Sequence, residues 1–121
     1  MAVILIVEDD VLMCELTGIL VADFGHQTFS ASGVDDALLL LNSSQHIDAV
    51  FADICLNDDV FGGIELTQHA IKSRPSLRVL YTSGNDIPAL QRSMFVEGSS
   101  FLLKPYTGTQ LQNTLTMSFS A

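Results

Sequence analysis

The sequence predicts an α/β fold in which helices cover both faces of a parallel sheet. Short runs, most of them rich in apolar residues, alternate five times with segments of helical periodicity, and residues 3–7 are continuously apolar. A strand that is apolar on both sides belongs in a sheet with both faces covered. Strict alternation of strands and helices predicts right-handed βαβ units, and therefore a doubly wound parallel sheet.

Five segments are assigned to the strands of this sheet. Four of them are rich in apolar residues and stop at polar or turn residues, and β-branched residues are most frequent in residues 3–7. The weaker one, residues 26–30, is polar and is placed in the sheet because it lies between two helical segments. The predicted strands are residues 3–7, 26–30, 48–52, 77–81 and 99–103.

The segments between the strands have the residue spacing of amphipathic helices. In the first of them, Leu12, Leu16, Ile19 and Leu20 recur at helical spacing, which predicts an apolar stripe packed against the sheet. The predicted helices are residues 11–24, 34–42, 63–73, 87–97 and 108–117.

Turn and capping residues support these boundaries. Ser32 and Asn85 precede helical segments, where a side-chain oxygen accepts hydrogen bonds from the first amides. Gly25 and Gly98 follow helical segments and suit the left-handed conformation that ends a helix. Pro75 lies just beyond the third helix and prevents it from continuing.

Length and composition limit the class of protein. The chain has 121 residues, which predicts a single domain over residues 1–121. Its formal charge of −9, with 5 basic residues, disfavours binding to a nucleic-acid backbone. No apolar run approaches the roughly 20 residues of a membrane span, and no basic segment precedes the apolar start. Cys14 and Cys55 lack metal or redox spacing, so we expect a reducing, cytoplasmic setting.

Polar residues of a few types follow the predicted strands. Glu8 and Asp9 come after the first strand, Asp53 after the third, Ser83 after the fourth and Lys104 after the fifth. The carboxyl ends of parallel strands meet at one edge of the sheet, where α/β proteins bind ligands. Three converging carboxylates repel one another unless a cation is present, and hard oxygen ligands favour Mg²⁺.

Together these residue types favour phosphoryl transfer. A lysine, a hydroxyl and a metal supply charge neutralisation and positioning, and one carboxylate acts as the nucleophile. The sequence has no glycine-rich nucleotide-binding loop, which makes nucleotide hydrolysis a weak alternative. A hydrolase with an aspartyl intermediate requires a second acid two positions after its nucleophile, where this chain has Cys55.

Four segments give the chain a family resemblance. They are ILIVEDD at residues 4–10, FADI at 51–54, LYTSG at 80–84 and FLLKP at 101–105. Over essentially its whole length the sequence resembles the CheY-like receiver domains of bacterial two-component response regulators. The resemblance implies a flavodoxin-like (βα)5 fold with strand order 2-1-3-4-5.

The resemblance also implies the roles of the residues at the strand ends. Asp53 is the phosphorylated carboxylate, and Lys104 pairs with the phosphoryl oxygens. Asp9 binds Mg²⁺ directly, Glu8 assists through a metal-bound water, and the backbone carbonyl of Cys55 completes the protein ligands.

A second group of residues is implied to act in switching. Ser83 donates its hydroxyl to the phosphoryl group, with Thr82 as the alternative, and Phe101 is the aromatic residue that turns inward when Ser83 moves. The peptide bond between Lys104 and Pro105 is expected to be cis.

The loop at residues 54–63 departs from the family pattern. It lacks the usual proline and is one or two residues longer than is common, so its alignment stays open. Asp58 and Asp59 in this loop are expected to be solvated acids.

The resemblance implies a phosphoacceptor rather than an enzyme with turnover, although the domain catalyses its own phosphorylation and dephosphorylation. The expected partners are a histidine kinase or phosphotransfer protein and a downstream effector, which binds the face of the last two helices and the last strand. The domain is expected to be a monomer or a phosphorylation-dependent dimer. Two alternatives remain, a receiver-like module that binds partners without phosphorylation and a receiver excised from a hybrid histidine kinase.

Overall fold

A computed structural model describes residues 1–119, so the last two residues of the predicted domain lie outside the described part. Its centre is a five-stranded sheet in which all neighbouring strands are parallel, in the order β2-β1-β3-β4-β5. The predicted fold class and strand order are confirmed. The strands are β1 Val3–Val7, β2 Gln27–Ala31, β3 Ala49–Asp53, β4 Arg78–Ser83 and β5 Ser100–Leu103.

Helices lie on both faces of the sheet. One face packs against α2 and α3 through residues such as Leu5 and Val50, and the other packs against α1 and α5 through residues such as Ile4 and Phe51. Every residue of β1 and β3 is buried, as expected for central strands covered on both sides. The helices are α1 Val11–Asp23, α2 Val34–Leu41, α3 Gly62–Ser73, α4 Ala89–Arg92 and α5 Gly108–Ser118.

The predicted apolar stripe of α1 is wrong for three of its four residues. Leu12, Leu16 and Ile19 are exposed by 65%, 51% and 59%, whereas Leu20 packs against the core. The buried residues of this helix are Thr17 and Val21 instead.

A polar contact accompanies this orientation of α1. The buried hydroxyl of Thr17 shares a 2.8 Å hydrogen bond with the Tyr106 hydroxyl, which satisfies both polar groups. With Thr17 and Val21 on the buried side, Leu12, Leu16 and Ile19 face solvent.

Helix α4 is much shorter than the predicted segment 87–97. It begins after Pro88 and ends at Arg92, and the following residues form turns. Met94 and Phe95 pack into the core, and the Val96 N–H donates to the Tyr81 hydroxyl at 3.1 Å. Tertiary packing therefore overrides helical spacing in this segment.

The capping predictions have mixed outcomes. Gly25 and Gly98 have the expected positive φ angles of 93° and 79°, but Gly98 does not end a helix, because α4 already stops at Arg92. Neither predicted N-cap is observed, because Gly33 and Pro88 occupy those positions without side-chain caps. The Ser32 hydroxyl donates instead to an Asp36 carboxylate oxygen at 2.8 Å.

Candidate functional site

The strand ends bring two buried carboxylates and an ammonium group into contact. The Lys104 Nζ donates to Glu8 Oε1 at 2.6 Å and to Asp53 Oδ2 at 2.7 Å. Glu8 and Asp53 are only 5% and 8% exposed. Charge-assisted hydrogen bonds of this length offset part of the cost of burying the charges.

The backbone positions each of these groups. Glu8 follows β1 and Asp53 ends β3, and these two strands are neighbours in the sheet. Lys104 follows β5, and its N–H donates to the Ser83 carbonyl at 2.8 Å. The peptide bond between Lys104 and Pro105 is cis.

A third carboxylate lies at the solvent side of this site. Asp9 is exposed, and its Oδ2 accepts a hydrogen bond of 2.9 Å from the Asn57 N–H. One oxygen from each of Glu8, Asp9 and Asp53 lies within 4.8 Å of the others. This set of hard oxygen donors, with one member open to solvent, suits a divalent cation such as Mg²⁺.

The two candidate hydroxyls at the end of β4 have different partners. The Thr82 Oγ1 donates to the Leu102 carbonyl at 2.7 Å, so that hydroxyl is engaged with β5. The Ser83 Oγ accepts from the Asn85 N–H at 3.2 Å, and Ser83 is buried. Within residues 1–119, no hydrogen bond joins the Ser83 hydroxyl to Asp53 or Lys104.

Phe101 belongs to a row of aromatic rings beside the site. Its centroid lies 6.2 Å from that of Phe95, which stacks on Tyr81 at 4.3 Å. The Arg92 guanidinium carbon lies 5.1 Å from the centre of the Phe101 ring, within cation–π range. Phe101 is half-buried in this arrangement.

The loop at residues 54–61 is folded back on itself. Leu56 and Asp59 form an antiparallel bridge, and Asn57 and Asp58 have positive φ angles of 51° and 67°. The Asp59 Oδ1 accepts from the Phe61 N–H at 2.9 Å, so this acid is part of the turn. Both Asp58 and Asp59 are exposed, as expected from the sequence.

The sequence of the chain matches one protein family over most of its length. The response regulator receiver domain family matches residues 4–116. The chain belongs to this family. The resemblance noted in the sequence is therefore confirmed, and this protein is a receiver domain of the two-component response regulator type.

Solved structures of receiver proteins have the same fold. A response regulator receiver protein from Sinorhizobium medicae is 26% identical with a TM-score of 0.87, and the alignment covers 97% of this chain and 93% of that one. A CheY-like receiver domain from Methanospirillum hungatei is 21% identical with a TM-score of 0.84, over 97% and 92% of the two chains. The response regulator TrrA from Thermotoga maritima, solved with Mg²⁺-BeF, is 18% identical with a TM-score of 0.83, over 98% and 100%. No curated protein sequence matches significantly.

Burial and charge perturb the titration of this receiver site. Burial raises the pKa of Glu8 from 4.5 to about 7; the charge of Asp53 adds to this effect, and Lys104 opposes it. Burial acts to lower the pKa of Lys104, but its hydrogen bonds to Asp53 and Glu8 outweigh burial and raise it. The pKa of Asp9 is lowered, although burial acts to raise it, because the carboxylate accepts the Asn57 N–H.

Several residues that the sequence did not single out also shape the site of this receiver domain. Gly63 packs against the backbone of Asp53, and the Gln91 side chain donates to the Val60 carbonyl at 2.7 Å. The Tyr106 ring lies 5.9 Å from Phe51 on the α1 side. The paired glycines at the start of α3 were a signal of close approach, whereas nothing in the local sequence marks the other contacts.

Among residues 1–119, no helix has both the length and the apolar character needed to cross a bilayer.

Proposed function

We propose that Asp53 of this receiver domain accepts a phosphoryl group from the phosphohistidine of a histidine kinase or phosphotransfer protein, with Mg²⁺ bound beside it. The observation that supports this most strongly is the Lys104 ammonium, which bonds both Asp53 and Glu8 next to the exposed Asp9. We assign the Mg²⁺ ligands to carboxylates of Asp9 and Asp53, to Glu8 through water, and to the carbonyl of Cys55.

The two oxygens of Asp53 are suited to different tasks. Oδ2 accepts the short bond of 2.7 Å from Lys104, whereas Oδ1 accepts a longer bond of 3.3 Å from the Cys55 N–H. Oδ1 is therefore the freer oxygen and the nucleophile. It forms the new O–P bond as the P–N bond of the phosphohistidine breaks, and the bonding pair stays on the imidazole nitrogen.

Other groups at the strand ends stabilise the transferred phosphoryl group. Lys104 neutralises part of its charge, and Ser83 donates its hydroxyl once the group is in place. When bound, Mg²⁺ supplies charge neutralisation for the phosphoryl oxygens. Water later hydrolyses the aspartyl phosphate slowly in the same site, which releases inorganic phosphate and regenerates the Asp53 carboxylate.

The exposed side of α1 is the surface that we assign to the phosphodonor. The helix begins immediately after the acidic residues 8–10, so a protein bound along Leu12, Leu16 and Ile19 has its histidine close to Asp53. The chain carries a formal charge of −9, which favours a donor helix whose apolar stripe has basic neighbours.

The face formed by α4, β5 and α5 is the surface that we assign to an effector protein or domain. Phe101 of β5 contacts Arg92 of α4, so a change at Ser83 and Phe101 alters this face. Leu90 and Leu103 on this side are exposed by 69% and 45%. The two-component role also implies a cytoplasmic location.

Phosphorylation by a small donor tests the proposal without a partner protein. Incubated with Mg²⁺ and acetyl phosphate, the wild-type domain is expected to gain the mass of one phosphoryl group, and Asp53→Asn to gain none. Asp59→Asn is the matched control, because it removes a nearby exposed acid and should leave phosphorylation unchanged. Absence of the modification in wild type, or its persistence in Asp53→Asn, contradicts the proposal and favours a module that acts without phosphorylation.

A further inference from the structure

Three hydrogen bonds hold the loop between β3 and α3, residues 54–61. On the side of the acids, the Cys55 N–H faces Asp53 and the Asn57 N–H donates to Asp9. At the far end of this β3–α3 loop, the Val60 carbonyl accepts a 2.7 Å hydrogen bond from the Gln91 side chain. The loop that follows the proposed phosphoacceptor is thus tied directly to α4.

Gln91 is the buried residue of α4 and is 9% exposed. A helix of 4 residues has little stability of its own, so its position depends on such tertiary contacts. Without the Val60 carbonyl, the buried amide of Gln91 would lose a hydrogen bond in a site with restricted access to water. The bond therefore constrains both partners, the helix and the loop.

A second glutamine holds the same part of the chain but does not reach the loop. Gln68 of α3 donates to the Met94 carbonyl at 2.7 Å, just beyond α4. The two side chains thus make equally short bonds, of which only that of Gln91 contacts the β3–α3 loop. Arg92, the neighbour of Gln91, lies over Phe101.

We propose that Gln91 is a positioning residue for the metal site, which holds the β3–α3 loop in place and couples it to α4. The coupling runs beside the connection through Ser83 and Phe101 and uses a different set of contacts. It rests on the proposed function, because the loop carries the Cys55 carbonyl assigned to Mg²⁺. Since coupling between sites is reciprocal, loosening the bond at α4 weakens Mg²⁺ binding, and Mg²⁺ binding alters the surroundings of α4.

The test compares Gln91→Leu with Gln68→Leu by Mg²⁺ titration of methionine-methyl-labelled protein. In Gln91→Leu, the dissociation constant for Mg²⁺ is expected to rise roughly three- to tenfold, the range given by loss of one hydrogen bond. The Mg²⁺-induced shift of the Met94 methyl signal is expected to shrink relative to that of Met117 on α5. Gln68→Leu is expected to bind Mg²⁺ as wild type does, since it leaves the loop untouched.

Gln91→Asn provides a second variant that stays polar but is one methylene too short to reach Val60. It is expected to reproduce the weaker Mg²⁺ binding, and it serves as the test if Gln91→Leu does not fold. If the Gln91 variants bind Mg²⁺ like wild type, or if Gln68→Leu weakens binding equally, the positioning role is wrong and the proposed function stands. If wild type binds no Mg²⁺, the proposed function fails and this inference fails with it.

Discussion

The backbone of Asp53 is constrained as closely as its side chain. A Cβ on Gly63 would lie 2.1 Å from the Asp53 carbonyl oxygen and 2.9 Å from the carbonyl carbon. The Gly63 N–H also donates to the Ile54 carbonyl at 2.9 Å. Backbone atoms cannot rotate away as a side chain can, so the start of α3 fixes the end of β3 at the site.

Substitution of Gly63 by alanine tests this constraint. We expect Gly63→Ala to lower the free energy of unfolding by about 2 kcal/mol or more, because overpacking against rigid neighbours forces the backbone to shift. Urea unfolding followed by circular dichroism measures the loss. Gly84→Ala is the control, because a Cβ there meets nothing within 4 Å. Equal losses in the two variants would show that the contact with Asp53 is not the cause.

At the scale of the element, α1 shows why apolar spacing alone does not decide which side of a helix faces a sheet. Its sequence carries apolar residues on several sides, so more than one orientation buries some of them. In the observed orientation Thr17 is on the buried side, where its hydroxyl shares a hydrogen bond with the Tyr106 hydroxyl. This contact involves Tyr106, which lies far along the chain, so the spacing of apolar residues within α1 does not predict it.

The exposed face of α1 gives a prediction that separates protein donors from small donors. We expect Leu16→Gln to slow phosphotransfer roughly tenfold from a purified histidine kinase that phosphorylates the wild-type domain, since loss of an apolar anchor costs about 1–2 kcal/mol. Phosphorylation by acetyl phosphate, measured by mass, is expected to be unchanged because the site is intact.

Leu39→Gln is the matched control for this surface. Leu39 is 74% exposed on α2, which packs on the other face of the sheet. If Leu39→Gln slows kinase phosphotransfer as much as Leu16→Gln does, α1 is not the specific docking surface. If wild type forms dimers that Leu16→Gln abolishes, in light scattering at increasing concentration, the face binds a second copy instead.

At the scale of the whole molecule, the part of the site that was predictable is the part set by the sheet. Glu8, Asp53 and Lys104 lie at the ends of strands that were recognisable from apolar runs, and parallel strands bring their carboxyl ends together. The contacts of Gln91 and Arg92 were not predictable. They depend on the segment 87–97, whose residue spacing predicted a long helix but which forms a helix of 4 residues followed by turns. The roles of these residues in phosphoryl transfer stay predictions.

We expect the acidic site to link the stability of the whole domain to pH and, through the proposed metal site, to Mg²⁺. Glu8 has a raised pKa of about 7 in the folded protein, against an ordinary value of 4.5. Between these values the folded state binds more protons than the unfolded state, so the free energy of unfolding falls as pH rises. The lowered pKa of His26 acts in the opposite direction in part of this range. A comparison that removes only Glu8 separates the two groups.

We therefore expect wild type without Mg²⁺ to lose stability relative to Glu8→Gln as the pH rises from about 5 to 8, because glutamine resembles the protonated acid and does not titrate. Mg²⁺ favours the charged carboxylate, so its stabilisation of wild type should be larger at the upper end of this range. Urea unfolding at several pH values, with and without Mg²⁺, measures both differences. His26 is present in both proteins, so its contribution cancels in the comparison. Parallel stability curves for the two proteins across this range would mean that Glu8 titrates normally, and that its burial beside Asp53 and Lys104 does not couple folding to the metal.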